Sequence, residues 1–281
     1  MGTEAWNRDT EQISEVSTDE MLNMINREDQ KVAGIVKSCI PQIVALVEAG
    51  VQAIQSGHRI FYCGAGTSGR LAIADAAECP PTYGLDPACF TAVMAGGNDA
   101  VFRASEGAED SFEAGARTCR ELGCAAGDLV LGISVSGQAP FVCAFMEAAR
   151  AAGCTVATLV NNEGAPMTKL ADITIVADTG AEAIKGSTRM KGGTAQKMIL
   201  NMFSTAVCVR LGCVYKNYMV NIQPANRKLR QRAVDTVSEI TSVAQARAQA
   251  LLDAHNWSIR EAVEAAARGD EPSEKMEKEN V

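Results

Sequence analysis

Three glutamates stand where proton transfer could be done in a chain of 281 residues that holds only two histidines, His58 and His255. Glu78 lies in the apolar run AIADAAECPP, Glu109 in SEGAEDS and Glu182 in DTGAEAIKGSTRMKGG. Pro80 and Pro81 predict that a helix opened at Thr67 ends at Glu78. A helix C-terminus among apolar neighbours disfavours negative charge, which suits a proton donor. Glu109 precedes a helix start that Asp110 or Ser111 could cap, where the dipole favours a carboxylate and hence a proton acceptor. One donor and one acceptor make a general acid–base pair. Taken singly, each reads as an ordinary solvated or capping side chain. Glu182 is a third candidate, its plainer alternative being a loop carboxylate paired with Lys185 or Arg189. With so few histidines, a His-based triad or His-rich metal site is disfavoured.

Two Ser/Gly turns could bind the group to be acted on. GAGTSGR, residues 64–70, follows an apolar run and opens a helical one. Its glycines permit a tight turn, Thr67 and Ser68 supply hydroxyls, and a helix N-terminus supplies free amides, which together make a phosphate cradle. The GK[ST] ending of a P-loop is absent. A GxGxxG count fits Gly64, Gly66 and Gly69, but the next strand ends in Met94-Ala95-Gly96-Gly97 with no acidic residue for a ribose. The plain alternative is a strand–helix turn without a ligand. GISVSGQAP, residues 132–140, repeats the strand–turn–helix plan and offers Ser134 and Ser136. The two turns in one parallel sheet point to a sugar-phosphate site without a metal.

The elements that would position these residues follow from periodicity. Short apolar runs at RIFYC, FTAVMAG, DLVLGIS, TVATLV and DITIVA read as strands. Helical stretches over 67–79, 111–122 and 140–152 separate most of them. This alternation predicts an α/β fold, a doubly wound, mostly parallel sheet covered on both faces, with ligands at the carboxyl ends of its strands. Ahead of it, residues 1–16 lack periodicity, STDE is a capping box at Ser17 and Glu20, and an apolar helical pattern from Val32 to about Gln55 contains Pro41, which should kink or split it. A long helix follows Thr188. The expected organisation is a helical arm over 1–56, a core over 57–217, a small helical, UBA-like domain over 224–268 and a disordered tail over 269–281.

Composition narrows the function. Net charge is −8 and no long basic stretch occurs, so nucleic acid is a poor partner. The ten cysteines include no CxxC pair and mostly lie in apolar runs, as buried thiols in a reducing cytoplasm would. The polar N-terminus does not read as a signal peptide, and no apolar run is long enough to span a bilayer.

RIFYCGAGTSGRLAIADAAECPPTYG, EGAEDS, TGAE with GSTRMKGGTAQK, and VYKNYMVNIQPANRKL resemble the N-acetylmuramic acid 6-phosphate etherase family, as does the opening TEAWN with VSTDEMLNMINRED. The resemblance runs from Thr3 to about Ala267, and its core is similar to sugar isomerase (SIS) domains. It implies a cytoplasmic homodimer that takes a phosphosugar, cleaves its lactyl ether, and releases N-acetylglucosamine 6-phosphate and D-lactate without a metal or organic cofactor. It places the catalytic pair on Glu78 and Glu109 and phosphate-binding turns on Thr67, Ser68 and Ser136. Glu182 matches a catalytic glutamate of the isomerase domain of glucosamine-6-phosphate synthase. The chain departs from the family's usual SGRTP at Ser136-Gly137-Gln138-Ala139-Pro140, and Ser134 and Lys185 replace smaller apolar residues. The expected alternatives are a sugar-phosphate isomerase and a non-catalytic phosphosugar-binding regulator, which product analysis would separate from an etherase.

Overall fold

The computed structural model describes residues 2–222, 224 and 226–270. The tail from 271 onward lies outside the described residues. Two compact units divide the chain, one of Met1–Glu78 and Pro87–Val207, the other of Cys79–Asp86 and Cys208–Val281.

The first unit is built on five parallel strands: β1 (Ile60–Gly64), β2 (Phe90–Met94), β3 (Leu129–Ser134), β4 (Thr155–Val160) and β5 (Ile173–Val176). Their order is β2-β1-β3-β4-β5, every pair parallel. The doubly wound expectation holds. Strand order reverses between β1 and β3, which are neighbours with Gly64 opposite Ile133, and the two turns leaving them therefore open into the crevice where such sheets bind ligands.

The strands are mostly apolar because helices cover both faces. Phe61 and Cys63 of β1 join Phe141 and Phe145 of α6 (Pro140–Ala151) and Cys119 of α5 (Phe112–Glu121) in one core. On the other face Tyr62 and Phe90 meet Phe203 of α7 (Lys191–Arg210) at ring distances of 5.8–6.2 Å. Each such ring removed from water contributes about 1.5–3 kcal/mol. The Tyr62 hydroxyl also donates to Asp75 of α3 (Gly66–Tyr83).

The arm forms as the sequence predicts from Ser17 onward. Ser17 Oγ caps α1 (Thr18–Ser38) by accepting from the Glu20 amide at 3.3 Å. Pro41 sits in the first turn of α2 (Ile40–Gln55), where it needs no amide partner, and the two helices meet at a 60° bend. Among the described residues, no single helix is long and apolar enough to cross a membrane. Residues 2–10, expected to lack structure of their own, form short 3-10 turns against the core. The Thr3 amide donates to Asn162 Oδ1, and Thr10 Oγ1 donates to the Ala183 carbonyl. The arm and the core thus belong to one unit rather than two.

α3 corrects a second expectation. It continues through Pro80 and Pro81 to Tyr83. A proline's fixed φ is already helical; its costs are a lost amide donor and a ring that crowds the carbonyl four residues back, and here they fall in the last turn of α3. Glu78 is therefore interior to α3, not at its end, and it is exposed.

The second unit packs α8 (Arg227–Thr241), α9 (Gln245–Ala254) and α10 (Ile259–Arg268) around Val234, Val237, Leu251, Leu252 and Ile259. Ser258 caps α10, as its position before IREAVEAAA suggests. A two-stranded hairpin, β6 (Val214–Tyr215) with β7 (Tyr218–Met219), precedes these helices and has no counterpart among the predicted elements. Gly269 in the left-handed region closes α10, and the Asp270 amide returns to the Ala265 carbonyl, so these two residues of the expected tail complete the helix's end.

Candidate active site

The first turn is tight because two glycines face each other. A Cβ on Gly64 would lie 2.7 Å from the Gly69 amide nitrogen, and one on Gly69 would lie 2.5 Å from Met94 Cβ. Gly66, at φ 54°, opens α3. The first amides of α3 have no carbonyl behind them within the helix, and half-buried Thr67 stands among them.

Ser68 has a different task. Its hydroxyl, 5% exposed, donates to Gln196 Oε1 at 2.8 Å. Gln196 Nε2 donates to Asn161 Oδ1 at 2.9 Å, and Asn161 Nδ2 to the Ala177 carbonyl at 2.8 Å. This buried polar chain ties α3 to α7 and to the ends of β4 and β5. Gln196 and Asn161 were not singled out from the sequence. The available signal was an amide, Gln196, beside Ala195 in the apolar helical pattern of α7.

In the second turn the serines shape their own loop. Ser134 Oγ accepts the Gly137 amide at 3.0 Å, Ser136 Oγ accepts the Gln138 amide at 3.3 Å, and the two hydroxyls lie 3.4 Å apart. Gly137, at φ 65°, would carry any Cβ to 2.5 Å from Ala165 Cβ. Asn162 Nδ2 donates to the Val135 carbonyl, fixing this turn to the N-terminal residues through Thr3.

A third segment joins them. The α7 start brings Gly192 against Val135 and Gly193 against Thr67 Cγ2, the latter 3.5 Å from an added Cβ. Both turns and GSTRMKGG therefore meet in one place. Glu182 organises this junction rather than pairing with Lys185 or Arg189. It is fully buried, and its two oxygens accept the amides of Gly192 and Lys191 at 2.9 Å each. Burial raises its carboxyl above the ordinary range, with those two amides pulling the other way. The Lys191 ammonium runs in turn to Glu28 of α1, which also takes Lys31. Lys191 and Glu28 are 3% and 1% exposed.

Beside the first turn a pocket of about 210 Å³ is lined by Gly66, Arg70, Met94, Ala100, Ala104 and Glu109, among others. Glu109 is exposed at its edge, in the first turn of a short 3-10 segment that follows Gly107. Arg70 is committed to α4 (Asp99–Phe102). Its Nε and Nη2 donate to the Val101 and Ala100 carbonyls at 2.9 and 2.8 Å, clamping the loop that carries Glu109.

Glu78 is not brought to this pocket. It stands twelve residues beyond Gly66, about 18 Å along α3 at 1.5 Å per residue. Because α3 runs back along the sheet, that distance leads away from the carboxyl ends of the strands. The chain thus gathers Thr67, Ser68, Ser134, Ser136, Glu182 and Glu109 around one crevice and leaves Glu78 outside it. Among the described residues, no three His, Cys, Asp or Glu side chains form a metal-binding group.

The same order of motifs runs through known proteins. The chain is 48% identical over 250 residues to an N-acetylmuramic acid 6-phosphate etherase of Aliivibrio fischeri strain MJ11, covering 89% of this chain and 83% of that one. It is 42% identical over 283 residues to the protein of that name from Aeromonas hydrophila, covering 100% and 95%. It belongs to the N-acetylmuramic acid 6-phosphate etherase family. Within this chain, residues 42–150 match the family model of the glucokinase regulatory protein N-terminal SIS domain. A phosphoheptose isomerase from Francisella tularensis has the same fold at 17% identity, with a TM-score of 0.54 and coverage of 69% of this chain and all of that one. The etherase fold is thus the SIS arrangement, with helical additions at both ends of the chain.

Proposed function

We propose that this protein cleaves the lactyl ether of N-acetylmuramic acid 6-phosphate by elimination followed by water addition, giving N-acetylglucosamine 6-phosphate and D-lactate. The observation that carries the reading is the meeting of two hydroxyl-bearing turns at the β1/β3 crevice beside a pocket that presents Glu109. Thr67 and the first amides of α3 receive the phosphate. With the sugar ring open, the aldehyde at carbon 1 acidifies the proton on carbon 2. Glu109 takes that proton, an acid protonates the departing lactate oxygen, and a carbon 2–carbon 3 double bond forms. Water then adds at carbon 3, its proton returning to carbon 2.

Glu78 is the acid in this reading, and its place on α3, twelve residues beyond Gly66, supports its acting on a site other than its own chain's. A second copy supplies it, so the working form is a homodimer with shared sites. Exposed apolar side chains on the arm, Leu22, Ile40 and Val44, support a protein partner for that surface.

Release of D-lactate from N-acetylmuramic acid 6-phosphate tests the reaction. Aldose–ketose interconversion without lactate would instead make the protein an isomerase. Subunit mixing tests the sharing. Glu78→Gln and Glu109→Gln should each be inactive alone, and refolded together should recover about a quarter of wild-type activity, the share expected for random two-fold pairing. A mixture as dead as its parents removes the shared site.

A further inference from the structure

The pocket beside Glu109 has walls of the wrong chemistry for a phosphate. Met94, Ala95, Ala100, Ala104 and Ala108 give it an apolar lining, and its charged rim holds Glu106 and Glu109. Two carboxylates repel a phosphate dianion. The guanidinium of Arg70, the nearest cation in the lining, already donates to the Ala100 and Val101 carbonyls. A Cβ on Gly96 would meet Ala100 and Ser105 at 2.9–3.0 Å, so residues 96–105 are folded tightly on themselves.

We infer that this pocket is a specificity site for the N-acyl group on carbon 2 of the sugar, with room for acyl chains longer than acetyl. The inference rests on the etherase reading. The substrate named there carries two methyl groups. One belongs to the lactyl ether, whose own carboxylate Glu106 and Glu109 would repel. The other belongs to the neutral acetamido group. That group is borne by the same carbon whose proton Glu109 removes, so seating Glu109 against carbon 2 carries the acetamido methyl toward the alanines. Charge and connectivity select the same substituent. A volume of about 210 Å³ exceeds what an acetyl group fills. Arg70 is then a positioning residue that holds the pocket's wall and Glu109 together.

Direct calorimetric binding tests this with N-acetylglucosamine 6-phosphate, its N-propionyl homologue and glucose 6-phosphate, whose carbon 2 bears only a hydroxyl. The wild type should prefer the N-acetyl sugar to glucose 6-phosphate by about tenfold or more, the worth of a methyl-sized group in an apolar pocket. It should accept the N-propionyl homologue at least as well. Ala104→Leu, which fills the pocket, should erase the preference while leaving glucose 6-phosphate binding unchanged. Exclusion of the propionyl homologue, or an unchanged preference in Ala104→Leu, overturns the inference. Should Ala104→Leu not fold, the propionyl comparison on the wild type decides alone. Lactate release is measured alongside. A wild type that releases none removes the etherase reading and this inference with it. One that releases lactate but excludes the propionyl sugar removes the pocket assignment only.

Discussion

Replacing Glu28 by glutamine should destabilise the first unit by about 3–5 kcal/mol, although Glu28 lies in the arm and far in sequence from every turn of the site. Glu28 binds the ammonium groups of both Lys191 and Lys31. The two lysines differ in what they lose. The Lys31 side chain is 48% exposed and has Asp9 at 3.2 Å, so it can turn to water. The Lys191 side chain is 4% exposed and is left as a buried charge without the carboxylate that bonds it. A glutamine amide accepts one hydrogen bond but cannot neutralise it. In urea, with a slope of about 3 kcal/mol/M, the midpoint should fall by roughly 1–1.7 M. Replacing both partners, Glu28→Met with Lys191→Met, removes the buried charges together and should recover most of the loss. The pH dependence has a definite sign. Burial alone would raise the Glu28 carboxyl, but the bonds from Lys191 and Lys31 outweigh it and hold the group below its usual range. Its contribution is therefore full above the ordinary carboxylate value of 4.5 and is lost as acidification passes the lowered value. The gap between wild type and Glu28→Gln should persist to about pH 4.5 and close below it. A loss under 1 kcal/mol in the single variant, or a double variant no better than the single, would refute the reasoning.

Gly69→Ala should lower the melting temperature, because the new methyl meets Met94 Cβ at 2.5 Å and the Gly64 carbonyl oxygen at 3.1 Å. Overpacking of this kind costs about 1–3 kcal/mol, and a calorimetric scan should show a fall of about 2–4 °C for each. Glu182→Ala should destabilise by roughly 2–6 kcal/mol in urea titration, since it strands two buried amides at about 1–3 kcal/mol each. The wild-type protein should also lose some stability as pH rises from 4.5 through the raised Glu182 value, and the variant should lack that slope. Thr67→Ala should raise KM and spare kcat, because a contact to a non-reacting phosphate serves ground and transition states alike. An unchanged KM would count against the cradle.

The strands, the order of elements and the chemistry of the turns were legible in the sequence because their signals are local. Five apolar runs of strand length between helical patterns dictate a covered parallel sheet, and Gly64, Gly66 and Gly69 announce a turn that only glycine can make. Ser17 and Pro41 placed the ends of the arm helices by the same local rules. What depends on partners remote in sequence was decided by tertiary structure. Pro80 and Pro81 read locally as a helix stop, yet α3 passes through them and leaves Glu78 on an exposed face away from the crevice. By type, Ser68 reads as a ligand-binding residue and Glu182 as a proton-transfer candidate. Folding gives Ser68 to Gln196, 128 residues away, and Glu182 to the start of α7. Nothing local marks Glu28 as a core residue, because an acidic side chain on an amphipathic helix reads as solvated until the fold brings Lys191 to it across 163 residues. A hydroxyl or carboxylate reveals its hydrogen-bonding capacity in the sequence, but only burial and the arrival of a distant partner determine whether that capacity remains for a substrate.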